Sequence, residues 1–459
     1  MTTVETLVPA SSSAKAEKRK RLALAFGPRF FLLIIVGLVW LGAAFHDPRF
    51  YYALAAWDVL ALIAWGIDLR IIPRAGKLTI TRKWNDPAGL SVPSTIELIL
   101  DNGSRLSVLA TIIDDVPPQL RNEAPTLELK CMANGQASAE YQIRPVQRGD
   151  LMLGAAYVRY QSPMRIAERW AIAHVEQKIC VYPNLDEARQ QSIYLIRSRQ
   201  IEMEKRQTRS RGAGRDFESL REYRLGDEMR DICWTAAARR GKLVTRLYQI
   251  ERSQTIWLII DAGRLLRARI GSLTKLDLAT NAALSLAEVA LGTGDRVGLL
   301  AYARNIQKRV PPYRGSAHLR MLIQHLAHIH GDAAEGDHLH AVSTLLSTQK
   351  RRSLVVWLTD FPETAMTPEV IEAASEAALR HLVLFVVIGQ PDLAELAAGR
   401  PDSVHAMYRT TAAQETLHRR EVLLGKLRQR GALALEVDSA RASAMLVNSY
   451  LNVKQRNLL

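Results

Sequence analysis

The sequence is short of cysteine and lacks the compact motifs of the commoner enzyme classes. Its 459 residues include three cysteines, Cys131, Cys180 and Cys233. They are odd in number and form no CxxC pair, which argues against a zinc ribbon or a dithiol redox centre and suits a reducing compartment. No nucleophile elbow and no zinc-protease HExxH motif is present. Gly212-Ala213-Gly214 is not a phosphate loop: it lacks the Gly-Lys-Ser/Thr ending and follows no strand. Acids are also scarce. There are 46 Asp and Glu against 61 Lys and Arg, a net charge of +15. That balance suits anionic partners such as phospholipid head groups, nucleic acid or an acidic protein, and equally a solvated basic surface. The length calls for two or three domains, and a hydrophobic content of 48% excludes a disordered chain.

The first 22 residues read as a disordered tail ending in a basic cluster, Lys15, Lys18, Arg19, Lys20 and Arg21. Two apolar runs follow, over residues 30–45 and 50–67, joined by the short HDPR loop. We expect a transmembrane helical hairpin over residues 23–70. Basic residues precede the first run, and Arg70, Arg74 and Lys77 follow the second. The positive-inside rule then predicts two spans in the inner membrane, with both termini and the soluble domains cytoplasmic. Asp58, inside the second run, is either a functional carboxylate or a protonated one.

Residues 75–184 change to short alternating runs separated by the turn signals NDPAG, DNGS, DVPP, ANGQ and QRGD. This pattern predicts an antiparallel β-sandwich. Residues 185–252 form a basic linker. Arg197, Arg199, Lys205, Arg206, Arg209, Arg211 and Arg215 face few acids, but aromatics that could stack bases are nearly absent, so nucleic-acid binding is the weaker reading. From Thr255 onward strand and helix alternate, which predicts an α/β doubly wound sheet over 253–459. TIWLIID and LVVWLTD are buried strands that end in Asp261 and Asp360, at the carboxyl edge where such sheets hold ligands.

That pair resembles the metal-ion-dependent adhesion site, or MIDAS, of a von Willebrand factor A domain, in which an Asp-x-Ser-x-Ser loop and a second Asp hold Mg²⁺. Here Gly263 and Leu265 stand at the two serine positions, without a side-chain oxygen. Ser316 is the remaining candidate for a middle-loop hydroxyl. Arg264 is positioned to replace the missing positive charge by pairing with Asp261 or Asp360. The expected site is therefore a degenerate MIDAS with no catalytic residue. Mg²⁺ binding through Asp261 and Asp360 is a weak possibility. Six histidines, His318, His325, His328, His330, His338 and His340, cluster nearby. His325 and His328, at i and i+3 on a helix, could face one ion, but no Glu stands in an HExxH relation to them, and exposed helix and loop histidines are the plainer reading.

Residues 214–252 carry a more specific pattern: Phe217, Leu220-Arg221, Tyr223, Gly226-Asp227, Arg230, Ile232, Trp234 and Ala238-Arg239. This series resembles the signature of the family called domain of unknown function 58, with Asp216 in place of the usual Glu and Cys233 in place of the usual Asp. Arg221, Tyr223, Gly226, Asp227, Arg230, Asp231, Trp234 and Arg239 are expected to form a charged network, structural or docking. The resemblance implies a membrane-anchored, non-enzymatic interaction protein of bacterial type. It also implies a MoxR-type AAA+ ATPase as partner and a role in protein assembly or maturation. The alternatives are a metal-dependent hydrolase at Asp261 and Asp360, or a nucleic-acid binder through the basic linker.

Overall fold

Period-2 runs build the amino-terminal half and unbroken apolar runs build the rest. The computed structural model describes residues 7–18, 23–45, 47–190, 216–224, 229, 232–249, 253–361, 368–456 and 458. The chain divides into two compact units, Met1–Leu185 with Ile323–His328, and Asp186–Leu322 with Ile329–Leu459.

The first unit contains β1 (Ser12–Lys18), β2 (Leu24–Phe26), β3 (Leu78–Trp84), β4 (Ser94–Asn102), β5 (Val108–Asp114) and β6 (Thr126–Cys131). It continues with β7 (Gly135–Ile143), β8 (Gly149–Leu153), β9 (Ala156–Gln161), β10 (Ala167–Ala173) and β11 (Gln177–Val181). A nine-stranded sheet runs in the order β6-β5-β9-β10-β1-β3-β4-β7, with β2 added to β10. β8 and β11 pair separately. The predicted sandwich is thus one continuous antiparallel sheet. β1 joins its two halves, pairing with β3 on one side and β10 on the other. Consecutive strands β6 and β7 lie at its free ends, so the sheet comes close to a barrel. Ile80, Ile96, Leu98, Leu100 and Ile112 fill its inner face and are wholly buried.

β1 corrects the expectation that residues 1–22 are a disordered tail. Its sequence, SSAKAEK, buries only Ala16, so no apolar pattern marks it. Backbone pairing to two neighbouring strands holds it instead. Arg19, Lys20 and Arg21 lie outside the described residues.

Between β2 and β3 stand α1 (Pro28–Gly37), α2 (Val39–Ala44) and α3 (Phe50–Ile71). Among the described residues only α3, with 22 residues, is long and apolar enough to cross a membrane. The expectation of two spans is corrected here. The first apolar run is divided at Leu38, and Pro28–Ala44 remains a shorter apolar stretch. At about 1.5 Å per residue it reaches roughly 25 Å, short of a hydrocarbon core of about 30 Å. The Trp57 indole donates to the Leu33 carbonyl at 2.8 Å, tying α3 to α1. Gly37 makes room for it, since a Cβ there would lie 2.5 Å from the Trp57 ring. Asp58 is half-buried on α3.

The second unit begins with a hairpin, β12 (Asp216–Glu222) and β13 (Val244–Gln249), with α4 (Trp234–Arg240) between its strands. Its main sheet is formed by β14 (Thr255–Asp261), then, after the small hairpin β15 (Arg269–Ile270) and β16 (Leu273–Thr274) and the helix α5 (Lys275–Gly292), by β17 (Arg296–Tyr302) and β18 (Ile306–Tyr313). α6 (Ser316–Ala327) and α7 (His338–Thr348) lead to β19 (Leu354–Thr359). α8 (Pro368–Ala378), β20 (Leu382–Ile388), α9 (Pro391–Ala398), α10 (Val404–Gln429), β21 (Leu433–Val437) and α11 (Ala442–Gln455) complete it. The order is β18-β17-β14-β19-β20-β21, parallel throughout except for β18. This is the doubly wound order in which the chain reverses direction between β14 and β19, the switch point where such folds hold ligands. β14 is apolar because helices cover both faces, and six of its seven residues are buried.

Candidate functional site

The parallel register of β14 and β19, with Ile260 opposite Leu358, carries Asp261 and Asp360 to the same edge. Both are almost fully buried. Asp261 is gripped by the loop that follows it. Its Oδ1 accepts from the Gly263 N–H at 2.8 Å, and its Oδ2 accepts from the Thr359 hydroxyl at 2.7 Å. Burial raises its pKa, and the Asp360 charge adds to that rise, while His338 and the two donors oppose it.

Asp360 is held by cations from two helices. The Lys275 ammonium, at the first position of α5, pairs with Oδ2 and is itself 2% exposed. Arg420 on α10 reaches Oδ1 at 3.4 Å and also pairs with Glu436 of β21 at 3.0 Å. The Phe361 N–H donates to Oδ1 at 2.9 Å. A cation at a helix N-terminus opposes the helix dipole; the Asp360 carboxylate offsets that cost for Lys275. Beside this cluster the Tyr302 hydroxyl bonds His338 Nδ1 at 2.8 Å and accepts from the Trp357 indole at 2.8 Å. Burial lowers the pKa of His338 even though Asp261 pulls it upward.

These residues do not fit Mg²⁺. That ion requires near-octahedral oxygen ligation at about 2.0–2.1 Å. Gly263 and Leu265 contribute no side-chain oxygen, and the space beside Asp261 is closed. A Cβ on Gly263 would lie 2.9 Å from Asp261 Oδ1 and 2.9 Å from the Gly336 nitrogen, and one on Gly336 would lie 2.7 Å from the same oxygen. The Lys275 ammonium already occupies the face of Asp360 that a cation would take, and like charge repels a second one.

Two expectations are corrected. Arg264 does not neutralise the acids. It points to solvent and pairs with Glu335, its Nε 3.0 Å from the Oε1 oxygen. Lys275 and Arg420 neutralise Asp360, while Asp261 is held by hydrogen bonds from Gly263 and Thr359. Ser316 lies at the opposite end of the sheet, because β18 runs antiparallel to β17 and returns the chain to the level of Val297 before α6 begins. Leu265 is half-buried in the loop after Asp261. The histidines do not converge: His338 joins the rim, whereas His318 bonds the Val297 carbonyl at the far edge.

Of the signature positions, Gly226, Asp227, Arg230 and Asp231 lie outside the described residues, as does the basic stretch 191–215. Among the rest, Arg221 lies on β12, and the Tyr223 N–H bonds the Leu243 carbonyl at 2.9 Å to close the β12–β13 hairpin. Trp234 and Arg239 are exposed on α4.

Most of the β12–β13 hairpin and the rim residues Asp261, Lys275, Tyr302, His338, Thr359 and Asp360 fall within one matched region, and Arg420 lies one residue beyond it. Residues 219–419 match the family described as protein of unknown function DUF58. Among curated relatives, this chain is 29% identical over 189 residues to an uncharacterized protein of Mycobacterium tuberculosis, a match covering 40% of this chain and 58% of that one. It is 25% identical over 203 residues to the uncharacterized protein YeaD of Bacillus subtilis, covering 42% and 46%. The chain thus spans about half the length of the curated relatives it matches. Among solved structures it is similar to the conserved hypothetical protein BatB of Bacteroides thetaiotaomicron, at 14% identity and a TM-score of 0.29, covering 44% of this chain and 100% of that one. It is also similar to proximal thread matrix protein 1 of the mussel byssus, at 12% identity and a TM-score of 0.28, covering 43% and 46%.

Lys275, Thr359, Arg420 and Tyr302 were not among the residues singled out from sequence, and His338 was named only as a member of the histidine cluster. Lys275 carries the one usable signal. It is the only cation of the helix KLDLATNAALSLAEVALG and stands at the end where a positive charge is disfavoured.

Proposed function

We propose that this DUF58 chain is a membrane-attached, non-enzymatic interaction protein with a von Willebrand factor A-like domain whose rim receives a protein partner. The Lys275–Asp360–Arg420 cluster carries this reading. With Asp360 paired and Asp261 bonded on both oxygens, neither acid is presented as a general base or as a ligand for a hydrolytic metal. What remains is a rigid loop surface bearing exposed Arg264, Arg267 and Glu335, suited to selecting a partner by complementary charge. The family resemblance supplies the partner class, a MoxR-type AAA+ ATPase, and the setting, assembly or maturation of other proteins.

Support for membrane attachment comes from α3 and from the strand order. β1 and β2 precede the apolar helices, β3 and β10 follow them, and all four belong to one sheet. Both ends of the apolar segment are therefore on one side. Such a segment dips into the bilayer as a hairpin from that face. Arg70, Arg74 and Lys77 at its exit favour the cytoplasmic face of the inner membrane.

The test is affinity purification of the full chain from its own membranes. We expect an AAA+ ATPase to co-purify and to be lost when Arg264→Glu reverses the rim charge. Absence of any ATPase, together with a stoichiometric transition metal and hydrolytic activity, would establish the enzyme instead. Flotation with phosphatidylcholine vesicles tests the hairpin separately: deletion of residues 28–71 should abolish it.

A further inference from the structure

A cavity of about 500 Å³ opens where α3 leaves the apolar segment and the chain enters the sheet. Its walls come from β1, β9, β10 and the turn after α3. Lys18, Arg74 and Arg169 line it with positive charge, against the single carboxylate of Glu17, and Tyr160 and Trp170 line it with aromatic surface. The volume lies in the range of small-ligand sites.

Its inner end is rigid. Asp68, in the last turn of α3, is buried and accepts from the backbone N–H groups of Ile166 at 3.0 Å and Ala167 at 2.8 Å, and from the Ser162 hydroxyl. The Tyr160 hydroxyl donates to the Pro73 carbonyl at 3.0 Å, and Arg169 Nη2 donates to the Leu69 carbonyl at 2.8 Å. These bonds aim the Arg169 guanidinium without exhausting it. Its Nε is buried and has no partner among the described residues. A buried cationic N–H without an acceptor is uncommon and points to a ligand that supplies one.

The surroundings indicate the source of that acceptor. Leu24 and Phe26 are 39% and 42% exposed at the cavity mouth and on the strand leading to the hairpin. Phe26 packs on Phe30 of α1 and Trp65 of α3, with ring centroids 4.3 and 5.0 Å away. An apolar track thus runs from the cationic cavity along the helices. Charge at one end and an apolar track at the other match a phospholipid, phosphate inward and acyl chains along the hairpin.

We propose that this cavity binds the phosphate of an anionic phospholipid headgroup, held by Lys18, Arg74 and Arg169, and so fixes the first unit on the bilayer surface. The proposal rests on the membrane reading of α1–α3, and the experiment separates the two. Vesicle flotation reports the hairpin. Lipid retention by the delipidated full chain in dodecyl maltoside, read by native mass spectrometry, reports the cavity without requiring insertion. Wild type should retain phosphatidylglycerol in preference to phosphatidylcholine. Lys18→Ala with Arg74→Ala, both at exposed positions, should weaken phosphatidylglycerol retention roughly 30-fold. Arg74→Lys should restore most of what Arg74→Ala alone removes. Equal retention of the two lipids by wild type, or unchanged retention by the double variant, overturns the proposal. Displacement of phosphatidylglycerol by millimolar inorganic phosphate assigns the cavity to a free phosphate and overturns the lipid.

Discussion

Each unit buries an ion pair, but the two pairs are built for different ends. In the first unit Arg82 and Asp114 are wholly buried inside the sheet. Arg82 also donates to the carbonyls of Val175 at 2.7 Å and Gly154 at 3.0 Å, and Asp114 accepts from the Tyr141 hydroxyl at 2.6 Å. Burial and the Asp114 charge push the Tyr141 pKa well upward, so the phenol remains a donor. That pair bonds β3 to β5 and β7 across the interior and touches no surface. In the second unit Lys275 and Asp360 sit at the carboxyl edge of a parallel sheet, where the fold places ligands. The first pair fixes a strand arrangement. The second fills a ligand position with a side chain of the protein itself.

The comparison can be broken at either pair. Arg82→Met strands Asp114 in an apolar interior and should cost about 3–5 kcal/mol. Urea denaturation should show the first unit unfolding early, while the second keeps its amide protection in hydrogen exchange. Lys275→Met should cost less, about 1.5–3 kcal/mol, because Arg420 still faces Asp360. A loss as large as that of Arg82→Met would mean that Arg420 contributes nothing.

Gly263→Ala sharpens the second half of the comparison. Its new methyl would press on Asp261 and on the backbone of Gly336, with an expected cost of about 1–3 kcal/mol. If the variant melts as wild type does, the loop is looser than a closed site requires. Stability should also respond to pH through His338. Its folded pKa is lowered, so the unfolded chain binds the extra proton first. The contribution of the neutral ring is present above the ordinary imidazole value near 6.5 and is lost as pH falls from there toward the folded value. His338→Gln should remove that part of the acid sensitivity in a series of thermal melts. Smallest of all, Arg264→Ala should change stability by no more than about 0.5 kcal/mol, since its pair with Glu335 is exposed.

How much of this was legible in the sequence follows from how locally each feature is encoded. β14 and β19 announce themselves as uncharged runs, and their terminal acids follow without further assumption. The placement of Ser316 depends on the direction of β18, which no local pattern carries. Lys275 and Arg420 reach Asp360 from helices far away in sequence; Arg420 reads as an ordinary surface cation until the packing is known, and Lys275 is marked only by its place at a helix N-terminus. β1 is invisible for the opposite reason: its place is set by the edges of β3 and β10, not by its own side chains. The first apolar run is apolar enough for a span but is divided at Leu38, a break that composition does not reveal.

The Lys275 ammonium fills the position beside Asp360 that a metal ion would otherwise take. Titration of the full-length protein in detergent with Mn²⁺, followed by the electron paramagnetic resonance of the free ion, tests it most directly. The free-ion signal should stay undiminished up to about 1 mM Mn²⁺. Stoichiometric Mn²⁺ uptake that disappears in Asp360→Asn would contradict it.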